Sequence, residues 1–272
     1  MGNSNLYDLD ENNNASLITN APSGLYSYAV NSKLNSNKVY VTSVGGALYE
    51  YILNDRNWVK KLIAKINEEI VLVTEDENGD LWLSTYYDGI YKLKYGGLSK
   101  KKDSQNFKTH FDTISGLPSM EFNAAFRLNK DIYVVNADVG LFKFSRNSRT
   151  FTLDSIIMKQ YPEEVSQFNT TLSDLKGNNW QPLVTGSEYR IYNLNNSIVK
   201  ELPESKIFGK FNTMDVSIMG DIVLFSGPEG IIAYNQAIRK PNANLPPIQI
   251  RKVFSKNDSL IYAGKGLSLI HI

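Results

Sequence analysis

Acidic and aromatic side chains recur in one context along this 272-residue chain, the short turn between two apolar strands. They are Tyr86, Tyr87 and Asp88, then Asp138, Glu188 and Glu229. Carboxylates mixed with aromatic rings can grip a carbohydrate or a peptide, hydrogen-bonding its hydroxyls or amides and stacking on its flat faces. Such acids could instead hold a cation, or cleave a glycoside as a carboxylate pair. The plain alternative is that Asp and Asn tolerate turn geometry and that charge blunts exposed loops. Taken singly, each position favours that plain reading. Ligand contact comes second and catalysis third.

The remaining inventory for chemistry is thin. His110 is alone at the end of a polar strand, so it builds no multi-histidine metal site and has no nucleophile motif beside it. Packing at the surface is the better reading for it. Cysteine is absent, which removes disulfides, thiolate metal sites and cysteine nucleophiles. Gly45-Gly46 and Gly96-Gly97 sit among strands, without the strand-to-helix setting of a phosphate loop. Trp82 and Trp180 occupy strand positions, where packing between sheets outweighs sugar stacking. We expect no cofactor and no bound metal.

The elements that carry these turns repeat. Gly79-Asp80-Leu81-Trp82-Leu83-Ser84-Thr85 leads through Tyr86-Tyr87-Asp88 into Gly89-Ile90-Tyr91-Lys92-Leu93. The same grammar recurs at Val39-Tyr40-Val41-Thr42 with Leu48-Tyr49-Glu50-Tyr51, at Asp131-Ile132-Tyr133-Val134-Val135 with Gly140-Leu141-Phe142, and at Asp221-Ile222-Val223-Leu224-Phe225 with Gly230-Ile231-Ile232. A weaker copy surrounds Trp180 and Arg190-Ile191-Tyr192. Taking Leu6, Leu48, Ile90, Leu141, Ile191 and Ile231 as equivalent, the steps are 42, 42, 51, 50 and 40 residues. A period of that size with four strands per unit predicts an all-β propeller of four-stranded antiparallel blades. In the best unit we expect strands at 69–75, 81–86, 89–93 and 107–111. Later units should open at 121–128 and near 166–172 and 211–218, and the first complete one near Leu25. That makes about five units plus an N-terminal half-unit. Helical signal is poor, with one candidate turn at 161–167.

Composition agrees with a packed domain. Hydrophobic residues make up 42% and aromatic residues 11%, and the net charge is +1 with both signs interspersed. That balance argues against a nucleic-acid or membrane footprint. Lys100-Lys101-Lys102 reads as a solvated loop. We expect propeller repeats over 1–235, incomplete at the N-terminus, and a proline-rich linker at 236–247. Residues 248–266 would begin a truncated Ig-like domain. Residues 267–272 read as the translation of a sequencing-library adapter, so His271 is set aside and the chain is expected to be a fragment.

The unit around Trp82 resembles the two-component-regulator propeller repeats of bacterial hybrid sensors. Glu77-Asn78-Gly79-Asp80-Leu81-Trp82-Leu83-Ser84-Thr85 matches that family's acidic turn and Leu-Trp step, with Ser84 where the family carries Gly. Gly89-Ile90-Tyr91 matches its Gly-Leu-Tyr step, and Gly116-Leu117-Pro118-Ser119 its joint between blades. The other units are more degenerate. Pro246-Pro247-Ile248-Gln249-Ile250 resembles the opening of the three-tyrosine domain that comes after such propellers. The resemblance implies a periplasmic or extracytoplasmic sensor region, membrane-anchored in the full-length protein, and the thin catalytic inventory leads us to expect that it binds a small molecule, oligosaccharide or peptide without turning it over. It also implies homodimerisation through the missing C-terminal domain, an output module beyond this chain, and no nucleic acid in this region. A secreted or secretion-associated scaffold and a propeller glycosidase or lyase are the alternatives.

Overall fold

The computed structural model describes residues 6–9, 15–19, 26–55, 57–95, 108–163, 165–168, 171–173, 178–185, 188–202, 211, 215–219, 221–228, 230–235, 237, 253–254 and 260–262. The chain divides into two compact units, Met1–Tyr234 and Asn235–Ile272.

The first unit is a succession of antiparallel meanders, the blades of a β-propeller. A two-stranded hairpin, β1 (Leu6–Leu9) with β2 (Ala15–Thr19), comes first. Blade one is β3 (Tyr26–Asn31), β4 (Lys38–Ser43), β5 (Ala47–Asn54) and β6 (Asn57–Lys65). Blade two is β7 (Ile70–Glu75), β8 (Leu81–Thr85), β9 (Ile90–Leu93) and β10 (Lys108–Phe111). Blade three is β11 (Asn123–Leu128), β12 (Asp131–Asn136), β13 (Gly140–Ser145) and β14 (Thr150–Leu153). A single helical turn, α1 (Ser155–Met158), leads to blade four. There the first strand is split into β15 (Val165–Phe168) and β16 (Leu172–Ser173), both paired to β17 (Asn179–Thr185) and followed by β18 (Glu188–Asn195) and β19 (Ile198–Glu201). Blade five shows β20 (Asp215–Met219), β21 (Ile222–Gly227) and β22 (Gly230–Asn235). In the second unit β23 (Val253–Phe254) pairs antiparallel with β24 (Leu260–Tyr262). The expected strand residues 248–252 lie outside the described residues.

Blades one to four are buried on both faces, so their middle strands read as continuous apolar runs rather than alternating ones, whereas β22 of blade five is largely exposed. β8 is buried at all five positions. Leu81 and Leu83 point toward blade one, into a core with Tyr40, Leu48 and Ile66. Trp82, between them in sequence, enters the core shared with blade three, beside Val134 and Phe142. The alternation repeats in β12, where Ile132 and Val134 face blade two while Tyr133 and Val135 face blade four. A further core joins Trp180 and Ile191 of blade four to Val223 and Phe225 of blade five. Ile18 of β2 packs on Val39, Val41 and Tyr51, which places the opening hairpin against the other face of blade one. Each large apolar side chain so buried contributes about 1.5–3 kcal/mol.

The first strands touch one another in the order β3, β7, β11, β16, β20, so they form the inner wall. Between blades two and three this wall is hydrogen-bonded as well as packed. The Ala125 amide donates to Ser84 Oγ at 2.8 Å, and Thr74 Oγ1 donates to the Ala125 carbonyl at 2.7 Å. The Ser at a position where the resembled family carries Gly therefore has a structural task.

The repeat's acidic turn is organised by Asp76, which is 3% exposed. Its Oδ1 accepts the amides of Asn78 and Asp80 at 2.9 and 3.0 Å, and its Oδ2 accepts Trp82 Nε1 at 3.1 Å. Lys92 Nζ lies 3.3 Å from Asp76 and 3.0 Å from Asp80, and 5.0 Å from the Trp82 ring centroid. Gly79 takes φ +78° to close this turn, a conformation that favours glycine.

Two expectations are corrected. The helical turn lies at Ser155–Met158, not 161–167, because Asp154 Oδ1 accepts the amides of Ile156 and Ile157 while Ile157 is buried. Val165–Phe168 is instead a strand held by β17. Blade three also opens at Asn123 rather than residue 121. Asn123 is pulled inward, its Nδ2 donating to the Ser119 carbonyl at 2.8 Å and its Oδ1 accepting from Asn136 at 3.1 Å.

Asp76→Ala removes the turn's acceptor, the Trp82 N–H partner and a buried counter-charge together. We expect a loss of about 3 kcal/mol, read as a lower urea midpoint. Asp76→Asn, which can keep the turn hydrogen bonds, should lose less. Equal midpoints for wild type and Asp76→Ala would refute this role.

Candidate functional site

In a four-stranded meander, the turn between the second and third strands emerges at the same end as the joint to the next blade. The predicted residues lie on those turns. Tyr86, Tyr87 and Asp88 join β8 to β9, Asp138 joins β12 to β13, and Glu188 opens β18. Glu229, which falls between β21 and β22 in sequence, lies outside the described residues.

The tyrosines present themselves to solvent. Tyr86 is 45% and Tyr87 60% exposed, with ring centroids 5.9 Å apart and a 35° tilt between them. The turn beneath them is fixed to the joint. The Gly89 amide donates to the Met120 carbonyl at 2.9 Å, and the Phe122 amide to the Tyr86 carbonyl at 3.3 Å. Gly89 adopts φ +61°, and a Cβ there would lie 2.3 Å from the Phe111 carbonyl oxygen, so no other residue fits without backbone movement.

Asp88 is committed differently from the tyrosines. Its carboxylate accepts the Tyr91 hydroxyl, and its Oδ1 stands 3.3 Å from His110 Nε2. That nitrogen is also 2.9 Å from the Asp88 carbonyl, and the imidazole stacks on the Tyr91 ring at 4.5 Å. Burial, reinforced by the bond to Asp88, pushes the Tyr91 hydroxyl well above its ordinary pKa. Asp88 therefore braces its own blade, and His110 packs there rather than standing free. Asp138 is exposed, with its amide donating to Asn136 Oδ1 at 3.2 Å. Glu188 is exposed and pairs with Arg190 at 3.5 Å.

Sequence reasoning misses the apolar share of this end. Phe122 is 51% exposed, Ile114 90%, Val139 46% and Val44 47%, and all four lie on turns or joints at this end. The repeat pattern puts Phe122 in a core strand. It sits instead one residue before β11 at φ +56°, an unusual conformation for an aromatic residue. Two non-strand apolar positions flanking the Gly-Leu-Pro-Ser joint, Ile114 and Phe122, are the signal that could have found it. Among the described residues, no cluster of three or more His, Asp or Glu is placed to hold a metal ion.

The joint itself is built on Asp112. Its Oδ1 accepts the Ser115 amide at 3.0 Å and hydroxyl at 3.1 Å, and these bonds hold its carboxyl below the ordinary value of 3.8. Gly116 comes next at φ +89°, where a Cβ would stand 2.1 Å from the Phe151 carbonyl oxygen.

This geometry fixes two outcomes. A lowered carboxyl pKa stabilises the joint above the unfolded value and is lost as pH falls through the folded one. The Asp112 carboxyl should thus titrate by NMR with a midpoint below 3.8, and Ser115→Ala should raise that midpoint. A midpoint at or above 3.8 in the wild type would contradict the bonding described. Phe122→Gly relieves a strained backbone while deleting a half-exposed ring, so stability should hold or rise by up to about 1 kcal/mol. A clear loss of stability would show instead that the ring is needed for packing.

No protein-family model matches the sequence, and no curated protein matches it. Solved structures do match the fold. One is the extracellular domain of BT4673 from B. thetaiotaomicron, a candidate one-component system, at 17% identity and a TM-score of 0.59 over 97% of this chain and 37% of that one. Another is PorZ, a surface component of the type-IX secretion system of Porphyromonas gingivalis, at 15% identity and 0.57, over 86% of this chain and 28% of that one. A third is a catalytically inactive virginiamycin B lyase from Staphylococcus aureus, at 13% identity and 0.55, over 85% of this chain and 72% of that one. The chain thus spans under two fifths of the first two proteins. At such identities the likeness carries the fold alone: a β-propeller architecture common to a candidate signalling ectodomain, a secretion component and a lyase.

Proposed function

We propose that this chain is the ligand-sensing propeller region of an extracytoplasmic bacterial signalling protein, and that it binds its ligand without chemical turnover. The observation that carries this reading is the end of blades two and three. Tyr86, Tyr87 and Phe122 are exposed there on turns locked by interblade hydrogen bonds, with Asp138 on the neighbouring turn. Rigid aromatic faces bind at low entropic cost, because little side-chain freedom remains to be lost. Acids and aromatic rings together suit a carbohydrate or a peptide. The motif resemblance around Trp82 and the fold likeness to a candidate signalling ectodomain support the same reading. In a sensor, binding acts by favouring one of two arrangements of the propeller and its neighbouring domain.

Two other classes share the fold. The likeness to PorZ favours a secretion-associated scaffold, in which this surface would meet a protein. The likeness to a lyase favours catalysis, although the His110 ring is engaged by Asp88 and Tyr91.

A binding screen against oligosaccharides and peptides separates these readings. Tyr87→Ala and Asp138→Ala should each weaken the bound ligand by about three- to tenfold, the scale of one aromatic contact or charged hydrogen bond. Unchanged affinity in both variants would move the site elsewhere. Multiple turnover of any ligand would end the sensor reading.

A further inference from the structure

At the opposite end of blades one and two lies a cleft of about 470 Å³, within the range of small-molecule sites. Its walls come from the first turn of each blade and from the outer strands of blade one. Lys38, Glu50, Lys61 and Tyr95 line it together with Asn35 and Asn78.

The two carboxylates of this cleft are already engaged. Glu75 accepts the Ser32 hydroxyl at 2.8 and 3.0 Å, the Lys33 amide at 2.7 Å, the Leu34 amide at 3.3 Å and the Tyr40 hydroxyl at 2.9 Å. It thereby pins the 32–35 turn as one wall. Glu50, with a side chain 3% exposed, pairs with Lys38 Nζ at 2.8 Å. Lys61 is different. Its ammonium lies 5.8 Å from the Tyr95 ring centroid, and among the described residues no carboxylate stands within ion-pair distance of it. Lys61, directly across the ladder from Glu50, therefore has no ion-pair partner of its own among the described residues, while Glu50 is taken by Lys38 and Glu75 by the neutral donors of the 32–35 turn and Tyr40.

The other free groups are polar. Asn35 uses its Oδ1 to accept the Asn37 amide at 3.0 Å, leaving its Nδ2 donor, and the Asn78 side-chain amide bonds to no described residue. Ile52 and the Tyr95 ring supply an apolar surface. We propose that this cleft binds a small hydroxylated carboxylate, its anion on Lys61, its hydroxyls on Asn35 and Asn78, and its flat face on Tyr95. The two carboxylates are held by Lys38 and by the donors of the 32–35 turn rather than free for a metal ion, and a neutral sugar would make no use of the Lys61 ammonium. This site is separate from the turns at the other end of the blades and does not depend on the sensor reading.

Calorimetric titration of the 272-residue chain with glucuronate, glucose and sulfate tests the assignment. Glucuronate should bind at least tenfold more tightly than glucose, and more weakly as salt rises. Lys61→Gln, on an exposed strand position, should raise the glucuronate Kd at least tenfold with the circular dichroism spectrum unchanged. Tyr87→Ala at the far end should leave that Kd as it is. The proposal is overturned if glucuronate does not bind, if glucose binds equally well, or if Lys61→Gln has no effect. Sulfate binding as tightly as glucuronate would also overturn it, since that marks an adventitious ion only.

Discussion

Burial of every central blade on both of its faces is the constraint on which the rest of this structure depends. A sheet with one wet face can absorb a polar substitution every second residue. β8 and β12 cannot, because neighbouring side chains of one strand enter two different cores. Trp82 shows the consequence. It stacks on Phe111 at 5.4 Å and meets Phe144 edge-on at 4.9 Å, yet its indole N–H must still find an acceptor in an apolar interface. Asp76 supplies it, and the same carboxylate closes the preceding turn and faces Lys92. One buried acid thus links turn chemistry, sheet edge and interblade core.

Two-sided burial also sends function to the ends of the blades. The middle strands of the packed blades have no free face to offer a ligand, so recognition falls to the turns and joints and to the exposed ends and outer strands beside them. Here the two ends differ in chemistry. The end bearing the joints is aromatic and apolar, with Tyr86, Tyr87, Ile114, Phe122 and Val139 exposed. The other end is charged, with Lys38, Glu50 and Lys61 around a cleft between blades one and two. The joint end is also held under backbone constraint, with Gly89, Gly116 and Phe122 all at positive φ. Positions of that kind persist where the surrounding bonds fix them, and they keep the tyrosines' turn in one shape.

Much of this is legible in the sequence, for a definite physical reason. Two-sided burial demands apolar runs such as Leu81-Trp82-Leu83, and tight turns demand Gly and acids at set offsets, so the repeat and the all-β architecture can be read directly. Strand limits in blade two agree to within one or two residues. The burial of Trp82 and Trp180 comes from the same logic, as does the packing of His110.

What the sequence could not decide is which partner each polar or exposed group finds. Asp88 has the look of a ligand contact, but tertiary pairing gives much of it to Tyr91 and His110 across the blade. Phe122 has the look of core, but inward rotation of the Asn123 side chain, bonded to Ser119 and Asn136, turns it to solvent. The lysine cleft is invisible in the sequence, because Lys61 and Tyr95 lie on different blades and acquire meaning only when those blades pack. Local pattern determines strands and turns, since it is set by periodicity and backbone preference. Contacts between residues tens of positions apart are set by register and packing, and those only the folded array decides.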